Sequence, residues 1–169
     1  MKFIQLLLFL IFFQTISAQK INNFDFEKSK ITQVLDDLNK YAAEANFQKY
    51  FNLYAEESTF IGTDANEIWN KKQFMAYAKP HFDKGKAWNF KSLKRNITFS
   101  KDMKYAWFDE LLDTQMKICR GSGVLEKIKG TWKIKQYVLS MTIPNENVDE
   151  VVKIKSTIED DLIQKLKQK

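Results

Sequence analysis

Proton transfer near neutral pH needs an imidazole or a carboxylate whose environment has moved its pKa, and this sequence holds few that could serve. Its single histidine, His81, stands beside Pro80 near the end of a segment patterned as a helix. Asp109 and Glu110 are neighbours in a segment that alternates as a strand, so their side chains leave on opposite faces and only one can enter an interior. Burial would raise the pKa of that one and make it a general base. Asp64 falls in Thr63-Asp64-Ala65-Asn66, where an Asx-type turn is its expected use. No second titratable group is placed to pair with Asp109, Glu110 or His81, so none of the three completes a catalytic pair. One Cys and one His cannot make a Cys/His zinc site, and one Cys leaves no disulfide framework within the chain. The expectation is no metal and no cofactor, with Cys119 a buried, inert thiol.

The elements that must position these residues follow from hydrophobic period. Ile31, Leu35, Leu38 and Ala42 recur at helical steps, predicting an amphipathic helix over about 27–45 with Ser29 as N-cap. Phe47, Phe51 and Tyr54 predict a second helix ending near Glu56-Glu57, and segments 59–62 and 67–69 predict two short strands around the turn. Residues 71–82 return to helix, with Phe74, Tyr77 and Ala78 on its apolar face and Pro80 expected to disturb its last turn. From residue 88 the period becomes two, predicting strands at 88–99, 104–113, 116–128 and 131–143, with Lys129-Gly130 the corner of the last hairpin. Val151, Ile154, Ile158 and Leu162 predict a final helix. Helices followed by a long-stranded meander make an α+β domain.

The first 18 residues hold 13 apolar ones, with Lys2 in front of the run Leu6–Phe13 and Ser17-Ala18 after it. That is the pattern of a secretory signal peptide over 1–18, with a mature start at Gln19. The run is too short for a spanning helix, which needs about 20 apolar residues. The expectation is an exported protein, periplasmic or extracellular, with no membrane attachment after cleavage. The formal net charge is +6 over the whole chain, but its lysines are spread and interrupted by acids. No concentrated basic stripe with stacking aromatics stands out, so nucleic acid is not the expected partner; a mildly basic solvated surface favours anionic ones.

The segments FQKYFNLYAEESTFIGTD (47–64), AWFDELLD (106–113), CRGSGVLEKIKGTWKIKQYVLS (119–140) and the following Ile143-Pro144-Asn145 resemble the nuclear transport factor 2-like superfamily, and most closely its SnoaL-like branch. The resemblance covers most of residues 30–143, and Gly130–Ser140 is its most specific part. It implies N-terminal helices packed on a curved antiparallel sheet, a cone-like, cystatin-type roll, with the core at about 28–143 inside a single domain over 19–169 and a C-terminal helical extension at about 146–167. Members include isomerases, dehydratases, polyketide cyclases and non-catalytic binding proteins, so the fold supplies no function by itself.

A two-residue turn at Lys129-Gly130 sets residues whose numbers sum to 259 opposite each other. One face then carries Trp132, Ile134, Gln136, Val138 and Ser140 against Lys127, Leu125, Gly123, Gly121 and Cys119, and suits the interior. The other carries Lys133, Lys135, Tyr137 and Leu139 against Glu126, Val124, Ser122 and Arg120, and suits an outer or partner-facing surface. A slip by one residue would exchange the faces. Similar sequences often read W-x-I-x-H-x-H-x-S here, with both His in the pocket, where this chain has Gln136 and Val138. Gln cannot exchange a proton near neutral pH and Val cannot hydrogen-bond, which leans against an enzyme. Gly121 and Gly123 open space for a cavity floor, or else allow sheet bending beneath a neighbour such as Trp107. Tyr54, Trp69, Trp88, Trp107 and Trp132 are the candidate walls, or else simply core. The expected ligand is an apolar small molecule, with Gln136, Val138, Ser140, Gly121, Gly123, Trp107, Trp132 and Tyr54 as its contacts. Three readings stay open: a non-catalytic binding or interaction domain; an isomerase-, cyclase- or hydratase-type enzyme using Asp109, Glu110 or His81; and a structural homodimer pairing around Arg120, Ser122, Tyr137 and Leu139.

Overall fold

The structure, a computed structural model, describes residues 24–85 and 87–168, so the leader expected over 1–18 and the mature start at Gln19 lie outside the described residues. Helix α1 covers 24–43 and buries the stripe Ile31, Leu35, Leu38 and Ala42 that its spacing predicts. The Ile and Leu side chains of this stripe contribute about 1.5–3 kcal/mol each when fully buried. Ser29 is not the N-cap, because the helix is already under way at residue 24; its hydroxyl donates back to the Phe26 carbonyl at 2.8 Å. Helix α2, Phe47–Asn52, is shorter than the Phe47/Phe51/Tyr54 spacing predicts. The amide of Ile134 donates to the Leu53 carbonyl at 2.9 Å, and Tyr54 opens strand β1, Tyr54–Ile61. Sheet pairing takes the chain where helical spacing would have continued it.

Strand β2, Ile68–Asn70, returns across the expected turn and leads into helix α3, Lys71–Asp83. A capping box starts α3: the Asn70 and Gln73 side chains each accept the other's backbone N–H at 3.0 Å. Pro80 does not end the helix, which runs on to Asp83. Strands β3 (Lys91–Phe99), β4 (Tyr105–Thr114), β5 (Lys117–Ile128) and β6 (Thr131–Met141) form the predicted meander. The sheet order is β2-β1-β6-β5-β4-β3. The α+β class and roll architecture hold, but the sheet is mixed: β6 returns beside β1 and runs parallel to it. A short 3-10 turn at Asn145–Asn147 leads to helix α4, Val148–Lys167, which buries none of its residues.

The β5–β6 hairpin decides which residues face inward. Lys129 and Gly130 have φ of +49° and +82°, the pair of positive values a type I′ corner requires. From the corner the register is the expected one, Ile128 with Thr131 through Leu125 with Ile134. There β6 bulges by one residue at Lys135, and the next pair is Val124 with Gln136, then Gly123 with Tyr137 and Gly121 with Leu139. Beyond the bulge every side chain of β6 changes face. Tyr137 and Leu139 point inward and are buried, while Gln136, Val138 and Ser140 lie on the outer face with Val124, Ser122 and Arg120. Gly123 makes room for the irregularity: a Cβ there would stand 2.1 Å from the Gln136 carbonyl oxygen.

Candidate functional site

Between the inner face of the sheet and the three helices α1–α3 lies a cavity of about 180 Å³. Its walls come from every layer: Leu38 and Asn39 of α1, Tyr50 of α2, Phe60 of β1, Trp69 of β2, Phe74 and Tyr77 of α3, Trp88 and Phe90 of the segment before β3, and Tyr137 and Leu139 of β6. Gly62, Thr63 and Glu67 of the β1–β2 turn and Gln115 and Met116 of the β4–β5 turn complete it. Several of the rings lie nearly parallel. Tyr137 and Phe60 are 5.9 Å apart at 3°, Phe60 and Phe74 3.9 Å at 12°, Trp69 and Phe74 6.1 Å at 6°, and Phe74 and Trp88 6.0 Å at 17°. A cavity of about 150 Å³ lined by apolar side chains holds one benzene ring, so this one has room for a compact, single-ring-sized molecule.

Phenols surround the deep end. Tyr50 and Tyr54 hold their hydroxyl oxygens 3.1 Å apart, and Tyr137 donates to Glu110 Oε1 at 3.4 Å. Burial pushes all three phenols above the ordinary tyrosine pKa, so they serve as hydrogen-bonding groups and not as bases. Glu110 is 1% exposed and sits behind Tyr137, outside the cavity lining. Its Oε2 accepts from Arg95 Nε at 2.8 Å and from Ser92 at 3.1 Å, and Arg95 Nη1 reaches Asp36 on α1 at 2.8 Å. Burial lifts the Glu110 carboxyl above the usual glutamate value; Arg95, Ser92 and Tyr137 limit the rise. At the mouth, Glu67 is the only charged side chain among the described lining residues. Its Oε2 accepts the Asp64 amide at 3.2 Å, and its carbonyl accepts the Gly62 amide at 2.8 Å.

The sequence-predicted residues disperse. Glu110, not Asp109, is the carboxylate that turns inward; Asp109 lies on the outer face, accepting from Asn96 at 3.1 Å with Arg120 at 3.6 Å. His81 is exposed on α3, 5.5 Å from the Tyr77 ring. Gln136, Val138 and Ser140 are off the cavity because of the bulge, and Trp107 is 49% exposed on the outer face, paired with Val124. Trp132 is core at the other end of the strand, its indole N–H donating to Glu27 at 2.6 Å. Tyr54 is buried behind the wall, against Tyr50. Gly121 and Gly123 do face inward, but their space is taken: a Cβ at 121 would meet the Tyr137 hydroxyl at 2.5 Å, and one at 123 the Phe108 ring at 2.9 Å. Of the expected walls, Trp69 and Trp88 line the cavity.

Sequence reasoning missed Tyr137, Leu139, Phe60, Glu67 and Gln115 as lining residues. For Tyr137 and Leu139 a signal was present. The inward residues Trp132, Ile134, Tyr137 and Leu139 step by two, three and two, and the step of three marks an inserted residue.

Residues 31–144 match the SnoaL-like domain. Among solved structures, the fold is similar to that of a nuclear transport factor 2-like protein of unknown function from Pseudomonas putida KT2440, at 12% identity and a TM-score of 0.61, over 73% of this chain and 92% of that one. A proposed scytalone dehydratase from Novosphingobium aromaticivorans DSM 12444 is similar at 12% identity and a TM-score of 0.60, over 70% and 85%. A cystatin-like domain of unknown function from Nostoc punctiforme PCC 73102 is similar at 15% identity and a TM-score of 0.61, over 84% and 97%. At such identities the likeness is one of fold. No curated protein matches the chain in sequence.

Proposed function

Because the chain belongs to the SnoaL-like domain family, whose fold serves many chemistries, we propose its function from the cavity itself: binding of a compact, largely apolar small molecule. The observation that carries this is the lining, which joins parallel Phe60, Phe74, Trp69 and Trp88 rings to a few polar groups at the mouth. Binding sites have this composition, mostly apolar walls with a few polar groups that orient the ligand. Among the described lining residues the phenols are held protonated, and Glu110 lies behind Tyr137 and is paired with Arg95, which leaves Glu67 at the mouth as the one carboxylate that reaches the cavity. A panel of single-ring and compact aliphatic compounds, scored by thermal shift and by quenching of tryptophan fluorescence, tests the reading. A ligand at about 100 times its Kd adds about 2.7 kcal/mol of stability, an easily resolved shift. Trp69→Ala should abolish it; a panel without a single stabilising compound would sink the proposal.

A second reading, hydratase-, cyclase- or isomerase-type catalysis, draws support from the buried Glu110 carboxyl with its raised pKa beside Tyr137. Incubating any ligand found in the panel and following it by NMR decides the matter. Turnover lost in Glu110→Gln favours catalysis, and an unaltered ligand favours binding. For the outer face we propose pairing of two copies, now over Trp107, Ser122, Arg120 and Val138, since Tyr137 and Leu139 turn inward; sedimentation as a monomer at high concentration would refute it. Export with cleavage before Gln19 stays a proposal, read directly as the N-terminal mass of the secreted protein.

A further inference from the structure

The surface and the cavity differ in charge. The chain as a whole has a formal net charge of +6, yet the described residues that line the cavity include no Lys, Arg or His and one carboxylate, Glu67. None of the ion pairs among the described residues uses Glu67. The other carboxylate near the site, Glu110, is already matched by Arg95 at 2.8 Å. The local fold also holds Glu67 in place. Its backbone closes the β1–β2 turn with Gly62, its Oε2 accepts the Asp64 amide, and a Cβ at position 62 would stand 2.1 Å from that same oxygen. Gly62 is therefore what lets the side chain lie across the turn and onto the cavity mouth.

We infer that the ligand of this cavity is a compact organic cation, an alkylammonium with an apolar body, held against the Trp69, Tyr77 and Trp88 rings with its charge answered by Glu67. The inference rests on the binding reading given above and adds the sign of the ligand's charge. Aromatic faces carry negative potential and attract desolvated cations, and quaternary ammonium groups, which donate no hydrogen bonds to water, leave it at the least cost. Trp69 and Tyr77 stack at 4.4 Å and line the same cavity as Glu67, so ring surface and carboxylate belong to one site. An anion entering the same space would meet a carboxylate and ring faces with no described cation to pair with, and would be desolvated without compensation.

Three compounds of nearly equal shape separate charge from size: choline, 3,3-dimethylbutan-1-ol and 3,3-dimethylbutanoate. Calorimetric titration of the protein should give about tenfold tighter binding of choline than of the alcohol, with the carboxylate weakest. Glu67→Gln should bring choline to within about threefold of the alcohol. Gly62→Ala, which displaces the Glu67 side chain without removing it, should act in the same direction. Asp109→Asn removes an equal charge from the outer face and should leave the preference intact. Equal or better binding of the alcohol, or binding of other neutral panel compounds with none of the three, overturns the charge assignment and leaves the binding reading standing. A choline preference that survives Glu67→Gln overturns the role given to Glu67. Failure of all three together with the whole panel defeats the binding reading itself, and this inference with it.

Discussion

Strand β6 carries two inward aromatic residues with polar tips, Trp132 and Tyr137, and each meets a buried glutamate. Near the corner of the hairpin, Trp132 donates to Glu27 at 2.6 Å, and Lys127 approaches the other oxygen of Glu27 at 2.9 Å. Farther along, Tyr137 donates to Glu110, whose second oxygen takes Arg95 and Ser92. Both carboxyls are buried, at 4% and 1% exposure, yet their pKa values move in opposite directions. Burial opposes ionisation at Glu27, but hydrogen bonds from Lys127, Trp132 and Lys30 outweigh it and hold that carboxyl below the usual value. Burial wins at Glu110 despite Arg95. The lesson is that a matched charge does not fix a pKa; the balance of lost water against recovered donors does. The first end is closed core. The second has as many donors but loses more water, and it lies behind Tyr137, which lines the cavity. Five residues apart on a regular strand, Trp132 and Tyr137 would face opposite ways; the bulge at Lys135 puts both inside.

The largest expected effect is at the cavity end. Glu110→Ala leaves the Arg95 guanidinium buried with Asp36 and the Thr32 carbonyl as its remaining partners, and should cost about 3–5 kcal/mol in a denaturant titration. A loss below about 1 kcal/mol would mean that water already serves Arg95, and that this end is as open as the mouth. Next comes the junction between the two ends. Gly123→Ala sets a Cβ against the Gln136 carbonyl and should cost about 3 kcal/mol, whereas Gly130→Ala, at φ +82° with nothing near it, should cost about 1 kcal/mol. Equal costs would show that the bulge is not held by Gly123.

What could be read from the sequence divides along the same line. The corner at Lys129-Gly130 and the register as far as Leu125 with Ile134 were legible, because a two-residue turn and alternation determine both. The α1 stripe, the span of α3 and the order of elements were legible for the same reason, since each is local. Past the bulge, alternation alone puts Gln136, Val138 and Ser140 on the inner face, where the structure has Tyr137 and Leu139. A bulge depends on a contact between Gly123 and the opposite backbone, which periodicity along one strand does not report. Local spacing puts Tyr54 in a helix for a related reason: its partner Ile134 lies eighty residues away, and pairing with it overrides that spacing. The choice between Asp109 and Glu110 stayed open because it turned on the strand's face alone.

A smaller effect separates the two glutamates by pH. The Glu27 carboxyl is lowered from 4.5, so its contribution is complete above that pH and disappears as the pH falls through the lowered folded value. The Glu110 carboxyl is raised from 4.5; the folded chain keeps its proton longer than the unfolded chain, and stability drops as the pH climbs from 4.5 through the raised value. Comparing wild type with Glu27→Gln across this range should therefore give a difference that grows with pH, of about 2 kcal/mol at its plateau. The corresponding difference for Glu110→Gln should shrink with rising pH. Slopes of the same sign would erase the contrast between the two ends.

The smallest expected effect is the sharpest test of the register. Gln136 lies on the outer face opposite Val124, one position from buried Tyr137. Gln136→Ala should change stability by no more than about 0.5 kcal/mol, as for a surface substitution, and should leave ligand-induced quenching of tryptophan unchanged. Tyr137→Phe removes a single oxygen from the deep end and should alter both, since Glu110 loses a donor and the cavity loses a polar group. Had the hairpin kept one register from corner to end, the two results would be exchanged, with Gln136 inside and Tyr137 outside. The pair of variants thus reads the position of the bulge in solution, and with it which half of β6 belongs to the cavity.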